Sequence, residues 1–256
     1  MKKAPRERDW LPLARGGGGS RGSAGREAAA ELPTGQAFKA AWIDFEHGIR
    51  VGNLQPHERI TQILRWNLEE RWTTKFVTDR WGRGVYWKWI CWVPRANRDA
   101  KPVSNKVNWG CSKFYIMLDH DRDAFAFGLS VERGEKKTPP ADYDWHRFMA
   151  QCRKGSALDD EVRRLVKREG FTIALYGSAP LRLDAAGYTS LDQVRRAVEK
   201  APARGFLGMD LSYAMPRAEV HAEKGADLVQ AVLAGFAAVT PAMNLCMDVP
   251  LTSRAG

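Results

Sequence analysis

The stretch VYWKWICWVP, residues 85–94, constrains the fold more than any other part of the sequence. Three of its ten residues are tryptophan, and Lys88 is its only charge. A short apolar run that ends in proline predicts a β-strand, in which alternate side chains point to opposite faces of the sheet. We therefore expect one wholly apolar face packed on a helix. The other face would be exposed and would carry Tyr86, Lys88, Ile90 and Trp92.

Neighbouring segments predict the fold class. KFVTDRW reads as a short strand followed by turn residues, and CSKFYIMLD and AFAFGLSVER read as two strands joined at residues 120–123. Consecutive antiparallel strands make a β-meander, here over about residues 74–132. Further strands and helices are mixed in the C-terminal half. The class is therefore α+β, an antiparallel meander packed with helices.

Apolar residues at helical spacing predict the helices. One helix follows Pro56, another lies within residues 156–170, a capping box starts a third at about residue 190, and a last one ends at Pro241. The predicted apolar faces of the first two comprise Ile60, Ile63, Leu64, Leu68 and Trp72, and Leu158, Val162, Leu165 and Val166.

Composition divides the chain into two parts. Residues 1–35 are rich in Gly, Ser, Ala and Arg and have almost nothing to bury, which predicts a disordered basic leader. Residues 36–256 hold all the predicted elements, and we interpret them as a single α+β domain. An alternative domain boundary lies at residues 134–142.

The charge of the chain indicates the class of partner. Lys and Arg number 40 against 30 Asp and Glu, a net charge of +10, which favours a polyanion such as nucleic acid. Residues 65–113 hold eleven of these basic residues against four acidic ones, together with seven of the ten tryptophans. Positive charge and flat aromatic rings therefore occur in the same segment.

The leading hypothesis is a cytoplasmic, bacterial protein that binds DNA or RNA without a cofactor. Aromatic rings stack on bases, and Lys and Arg neutralise phosphates. We expect Tyr86, Trp92 and Trp109 to stack, and Lys88, Arg95, Arg98, Lys101 and Lys106 to contact phosphates. The alternative is structural, since a core strand and a solvated loop can have the same compositions.

Two further hypotheses stay open. A metal-dependent, nuclease-like enzyme would use Asp119, Asp121 or Glu132, although the calcium-loop pattern fails at Ala124 and Ser130. The common phosphate-binding, dinucleotide-binding and hydrolase motifs are missing, so the sequence does not indicate an enzyme. An interaction subunit of a larger defence or nucleoprotein assembly would use tryptophan and arginine as binding hot spots.

Cysteine spacing and hydropathy bear on location. The four cysteines have long, irregular spacings, which do not suit a zinc site and predict free thiols in a reducing compartment. No run of 18 apolar residues and no apolar signal segment is present. We therefore expect a cytoplasmic location and no membrane partner.

Overall fold

An antiparallel β-meander forms the centre of the structure. The computed structural model describes residues 34–254. The meander confirms the predicted α+β class, and its third and fourth strands join at the expected turn, residues 120–123. Its four strands are β3 (Phe76–Arg83), β4 (Tyr86–Pro94), β5 (Lys113–Asp119) and β6 (Ala124–Gly134).

Five more strands extend the meander into one nine-stranded sheet within residues 34–254. They are β1 (Ile43–Asp44), β2 (Gly48–Arg50), β7 (Thr172–Gly177), β8 (Leu181–Leu183) and β9 (Leu207–Pro216). The order is β1-β2-β4-β5-β6-β9-β7-β8, with β3 paired to β4. Every pairing is antiparallel. Because β9 lies between β6 and β7, the connections around it are long and carry helices.

Seven α-helices accompany the sheet in the described part of the chain. They are α1 (Ile60–Arg71), α2 (Arg95–Asp99), α3 (Asp144–Gln151), α4 (Ala157–Arg168), α5 (Asp192–Lys200), α6 (Arg217–Ala222) and α7 (Gly225–Cys246). The predicted apolar residues of α1 and α4 are all buried, which confirms both faces. Ser156 caps α4, because its hydroxyl accepts a hydrogen bond from the Asp159 amide at 3.0 Å.

The prediction that Pro241 ends the last helix is wrong, since α7 continues to Cys246. Proline lacks an N–H and gives up one helical hydrogen bond. The turn beyond it nevertheless packs into the core, where Ala242, Met243 and Cys246 are fully buried. α7 is long and apolar enough to cross a membrane, with a mean hydropathy of 1.6, but half of its most apolar window is buried within the protein.

The helices pack on one face of the sheet. The main core contains residues of α1, α3, α4, α5, α6 and α7 together with the inward side chains of the strands. A second, smaller cluster on the opposite face consists of Cys91, Val93, Cys111 and Tyr115, and no residue of the described helices belongs to it. The sheet therefore has one covered face and one face without helices.

The contacts group the described residues, 34–254, into one compact unit. The predicted leader, residues 1–35, lies outside the described residues apart from its last two positions. All four cysteines are buried and free, as expected from their spacing.

The two faces predict different costs for removing a tryptophan. Trp92 is 0% exposed, so Trp92→Ala leaves a large cavity and should lower the free energy of unfolding by about 3–5 kcal/mol. Trp81 is 45% exposed, and Trp81→Ala should cost less than about 1 kcal/mol. Urea unfolding followed by far-ultraviolet circular dichroism measures both. Equal losses in the two variants would contradict this assignment of faces.

Candidate nucleic-acid interface

A β-bulge in the β3–β4 hairpin rearranges the faces of the tryptophan-rich strand. One step along β3, from Trp81 to Gly82, is matched by two steps along β4, from Trp89 to Trp87. Lys88 is therefore an extra residue, and the alternation of side chains restarts there. Accordingly, Trp87 packs against the main core, whereas Trp89 packs against the smaller cluster on the opposite face.

Beyond the bulge the predicted orientation of the strand is wrong. Ile90 and Trp92, expected on the exposed face, are fully buried in the main core. The indole Nε1 of Trp92 donates a hydrogen bond to the Thr61 carbonyl of α1 at 3.1 Å. Its ring centre lies 5.8 Å from that of Phe236 in α7. Trp92 therefore stabilises the fold and is not available to stack on a base.

The tip of the same hairpin keeps its cations and rings accessible. Tyr86 is half-buried, and its ring centre lies 5.6 Å from that of His47. The Arg80 guanidinium lies 4.1 Å from the centre of the Trp87 ring, a cation–π contact that orders the base of the tip. The exposed side chains are Arg80, Trp81, Arg83 and Lys88.

The predicted loop after Pro94 begins as the short helix α2, and its cations have different environments. Arg95 is exposed and pairs with Asp99 at 3.4 Å. Arg98 is mostly buried and reaches the same carboxylate at 3.5 Å. Lys106 is exposed on a left-handed turn with φ of 61°. Arg95 and Lys106 are thus accessible. Both are separated in sequence from the hairpin tip.

Lys101, expected to contact phosphate, is buried, so that prediction is wrong. Its Nζ donates to the Asp142 carbonyl at 2.6 Å, to Asp144 Oδ1 at 2.6 Å and to Asp248 Oδ2 at 3.2 Å. Burial lowers the pKa of Lys101, but the charge of Asp144 carries it above its ordinary value. Asn97 donates to the other Asp144 oxygen at 2.8 Å. This saturated network fastens the loop to α3 and to the C-terminal segment.

Trp109, in the loop before β5, packs against the main core, close to the side of the sheet that the helices leave uncovered. It is half-buried, and its ring meets that of Phe206 edge to face at 5.8 Å. The Lys113 ammonium lies 5.9 Å from the Trp109 ring and 5.8 Å from the Trp89 ring. Trp109 and Trp89 are therefore neighbours of the same cation.

The strand register aligns two rows of side chains on this uncovered side, which we call the helix-free face. The first row consists of the successive cross-strand partners Trp81, Trp89, Met117, Ala126 and Ala214. The second row consists of Lys113, Ser130, Asp210, Ala174 and Arg182. Direct partners lie about 5 Å apart, so the side chains of each row are neighbours across the sheet. Ala126 in the first row and Lys113 and Ser130 in the second are buried. The first row is aromatic at one end, and the second is polar with a small residue beside Asp210.

Five polar side chains form a network on the helix-free face, which we call the polar cluster: Lys113, Ser130, Glu132, Tyr176 and Asp210. Lys113 Nζ donates to Glu132 Oε2 at 2.6 Å, and the Tyr176 hydroxyl donates to Glu132 Oε1 at 3.2 Å. The Tyr176 and Ser130 hydroxyls are also 3.2 Å apart. Asp210 Oδ1 is buried and has no hydrogen-bond partner among the described residues.

Burial raises the pKa of Asp210 to about 7. A hydrogen bond from Ser130 lowers it, the charge of Glu132 raises it, and Tyr115 and Lys113 lower it. Burial alone would also lower the pKa of Lys113, but the charge of Glu132 holds it above its ordinary value. The cluster thus combines a charged pair with a carboxyl group that titrates near neutral pH.

Sequence reasoning missed Asp210 and Tyr176. The sequence does carry a signal for Asp210, which is the only charged residue in the predicted strand GFLGMDLSYAMP. Tyr176 carries no such signal, since tyrosine is common in strands.

The acidic residues of the metal hypothesis do not come together. Asp119 is paired with Arg122 and Arg182, both at 3.0 Å, and these contacts lower its pKa despite burial. Glu132 is paired with Lys113 at the other end of the meander, and Asp121 is exposed. Within residues 34–254 no group of three His, Cys, Asp or Glu side chains is arranged to hold a metal.

Comparison with known proteins assigns no family to the chain. No protein-family model, no curated protein and no solved structure matches it. The function must therefore be inferred from the geometry of the helix-free face.

The raised pKa of Asp210 predicts a pH dependence of stability. An unfolded aspartate titrates near 3.9, so between about pH 4 and pH 7 the folded state binds more protons than the unfolded state. The stabilising contribution of this group is therefore complete below about pH 4 and lost as the pH rises through about 7. Asp210→Asn removes this loss and should raise the relative free energy of unfolding more at about pH 8 than at about pH 5, by at most about 3 kcal/mol.

Urea unfolding of wild type and variant at the two pH values measures this difference. Asp121→Asn, which changes an exposed carboxylate, is the matched control and should show no such pH dependence. An Asp210→Asn effect that is the same at both pH values would contradict the burial of this carboxyl group.

Proposed function

We propose that the protein binds single-stranded nucleic acid across the helix-free face. The observation that carries this proposal is the cross-strand pair of the exposed Trp81 and the half-buried Trp89, which lies beside the hairpin tip and its exposed cations. Accessible rings stack on unpaired bases and cannot do so on a paired duplex. The cations are Arg80, Arg83 and Lys88. Arg80 leaves β3 on the side opposite Trp81, where it lies over Trp87 at the edge of the sheet.

The charges of the tip support the proposal. In the part of the chain that the structure describes, none of the three tip cations forms an ion pair, whereas Arg182 pairs with Asp119 and Lys101 with Asp144. Unpaired exposed cations are available to neutralise phosphates and to release counterions from a nucleic-acid strand.

The proposed binding face has a stacking part and a phosphate-contacting part. Stacking uses the flat faces of the first row, and phosphates lie outward from stacked bases, toward the edge strand β3 and its tip. Tyr86 and Trp109, both half-buried, would enlarge the stacking surface at its two ends. The basic residues of the leader, Arg95 and Lys106 would add affinity that does not depend on sequence. A cytoplasmic location fits four free thiols.

Charge removal at the tip tests the electrostatic part. The triple variant Arg80→Ala/Arg83→Ala/Lys88→Ala should weaken binding of a fluorescent oligothymidylate at low salt by about tenfold or more. Each phosphate contact contributes about 0.7 to the slope of log affinity against log salt concentration, so the slope should fall by about 2. Fluorescence anisotropy over a salt series measures both quantities.

The matched control removes three exposed cations on or beside the helices, Lys154, Arg168 and Lys224. This control changes the net charge equally and should leave the slope close to that of wild type. Equal effects of the two triple variants would mean that affinity follows net charge and that the tip is no binding site. If neither the wild type nor any variant binds the oligonucleotide, the interaction-subunit hypothesis takes precedence.

Removing a ring tests the stacking part separately. Trp81→Ala should weaken oligonucleotide binding by about 1–3 kcal/mol, the typical contribution of one stacked base, without changing the salt slope. Trp66→Ala, which alters a half-buried tryptophan of α1, is the control. Anisotropy titrations at two salt concentrations distinguish the outcomes, and an unchanged affinity of Trp81→Ala would exclude stacking at this position.

A further inference from the structure

The last cross-strand row of the β3–β4 hairpin places a tyrosine between two arginines. Arg83 faces Tyr86 across the hairpin, and Tyr86 faces Arg50 of β2 on its other side. The turn of the hairpin, residues 84 and 85, follows directly, so the row lies at the outer end of the hairpin. We call Arg83, Tyr86 and Arg50 the arginine row.

The arginine row belongs to the helix-free face. Its residues in β2 and β4 adjoin Ile49 and Trp87, which are cross-strand partners and pack in the main core. Because neighbouring side chains of a strand point to opposite faces, the row points away from the helices. Arg83 follows Trp81 by two positions in β3, a distance of about 7 Å, and points to the same side as that ring. The row is thus next to the Trp81–Trp89 pair.

Neither arginine has a carboxylate partner. Arg83 is exposed and Arg50 half-buried, and within residues 34–254 neither side chain forms an ion pair or a hydrogen bond. The Nε of Arg50 is buried without an acceptor. The two strands that carry the arginines are separated by β4 and therefore lie about 10 Å apart, so the two cations repel each other. An anion between the two guanidinium groups would replace this repulsion by attraction and would supply acceptors.

The acidic residue of the neighbouring strand β1 does not compensate this charge. Asp44 accepts hydrogen bonds from the amides of Glu46 and His47 at 2.9 and 3.0 Å, and from His47 Nδ1 at 2.8 Å. The carboxylate therefore bonds within its own turn. The His47 ring lies 5.6 Å from that of Tyr86, so this turn packs beside the row and leaves the arginines without a counterion.

The chemistry of the arginine row selects a phosphate group. A guanidinium binds phosphate oxygens through two parallel N–H donors, and a tyrosine hydroxyl adds one more donor. A phosphate within a strand carries one negative charge, whereas a terminal phosphate carries about −1.5 to −2 near neutral pH. Two arginines without a counterion therefore match the charge of a terminal phosphate better than that of an internal one.

We propose that the arginine row binds the terminal phosphate of a nucleic-acid strand whose last base stacks on the Trp81–Trp89 pair. The inference rests on the proposed binding of single-stranded nucleic acid and adds recognition of the strand end to it. The separation of the two rows along β3, about 7 Å, is similar to that between a base and the phosphate of its own nucleotide. One terminal nucleotide would therefore contact both rows.

Competition against an internally labelled oligothymidylate, followed by fluorescence anisotropy at one salt concentration, tests this inference. The competitors are three unlabelled oligothymidylates of equal length, with a 5′ phosphate, a 3′ phosphate or hydroxyl groups at both ends. One phosphorylated competitor should bind wild type about tenfold more tightly than the hydroxyl competitor, because charge-assisted hydrogen bonds to its phosphate are gained. The competitor that gains affinity identifies the strand end that is bound.

Two variants and a control assign the preference to the row. Arg50→Gln and Arg83→Gln should each lower it to less than about threefold, since each removes one of the two guanidinium groups. Lys154→Gln removes an exposed cation between α3 and α4 and should keep the full preference. Because the preference is a ratio of affinities, a general loss of affinity in a variant cancels. Arg83 is exposed, so Arg83→Gln decides the matter if Arg50→Gln does not fold.

The outcomes separate this inference from the proposed function. If wild type binds all three competitors equally, the arginine row is excluded as a phosphate site and single-strand binding stands. An equal gain for both phosphorylated competitors would indicate a general charge effect and would also exclude it, as would a preference that survives the arginine substitutions. If no oligothymidylate binds wild type, both proposals fail.

Discussion

The contact of three aromatic rings between the sheet and α7 determines which face of the sheet is open. The Phe114 ring of β5 lies 4.7 Å from Phe236 in a stacked arrangement, and Trp92 of β4 contacts the same Phe236 at 5.8 Å. All three are buried. This contact fixes the buried sides of β4 and β5, and their alternate residues then point away from the helices. The Trp81–Trp89 pair and the polar cluster lie on the opposite face for that reason.

Much of the fold follows from patterns that the sequence displays directly. Turn residues at 120–123 and alternating apolar strands specify the meander, and the helical spacing of Ile60, Ile63, Leu64 and Leu68 specifies the buried face of α1. The predicted helix end at Pro241 was wrong because losing one helical hydrogen bond costs less free energy than burying the next turn gains. The position of β9 between β6 and β7 could not be predicted, because no local sequence pattern specifies the order of strands in a sheet.

The site was harder to predict, for reasons that concern individual residues. In β4 both faces are apolar, so alternation alone does not tell which side meets the helices. Alternation would also place Tyr86 and Trp92 on the same face, but the extra residue at Lys88 puts them on opposite faces. Lys101 looks like any loop lysine until Asp144, which is 43 positions away, is placed beside it. Accessibility of Lys88 and Tyr86, by contrast, agrees with the expectation from the sequence.

The two buried lysines illustrate how the same residue type serves different purposes. A buried ion pair needs further hydrogen bonds to offset the loss of hydration. The Lys101 network has them and connects three distant segments, which is a structural role. The Lys113–Glu132 pair instead lies next to a carboxyl group with an unmet acceptor and a raised pKa. Such perturbed groups are concentrated at functional sites, although structural networks also contain them.

The most direct test of a binding face without helices is the indole N–H region of a ¹H–¹⁵N correlation spectrum, recorded while an oligothymidylate is added. Resonances of Trp81 and Trp89 should shift, because these indoles lie on the helix-free face. Those of Trp72, Trp92 and Trp145 should stay in place, since they are buried in the main core. Shifts confined to the second set, or absent from the first at saturating oligonucleotide, would contradict the account.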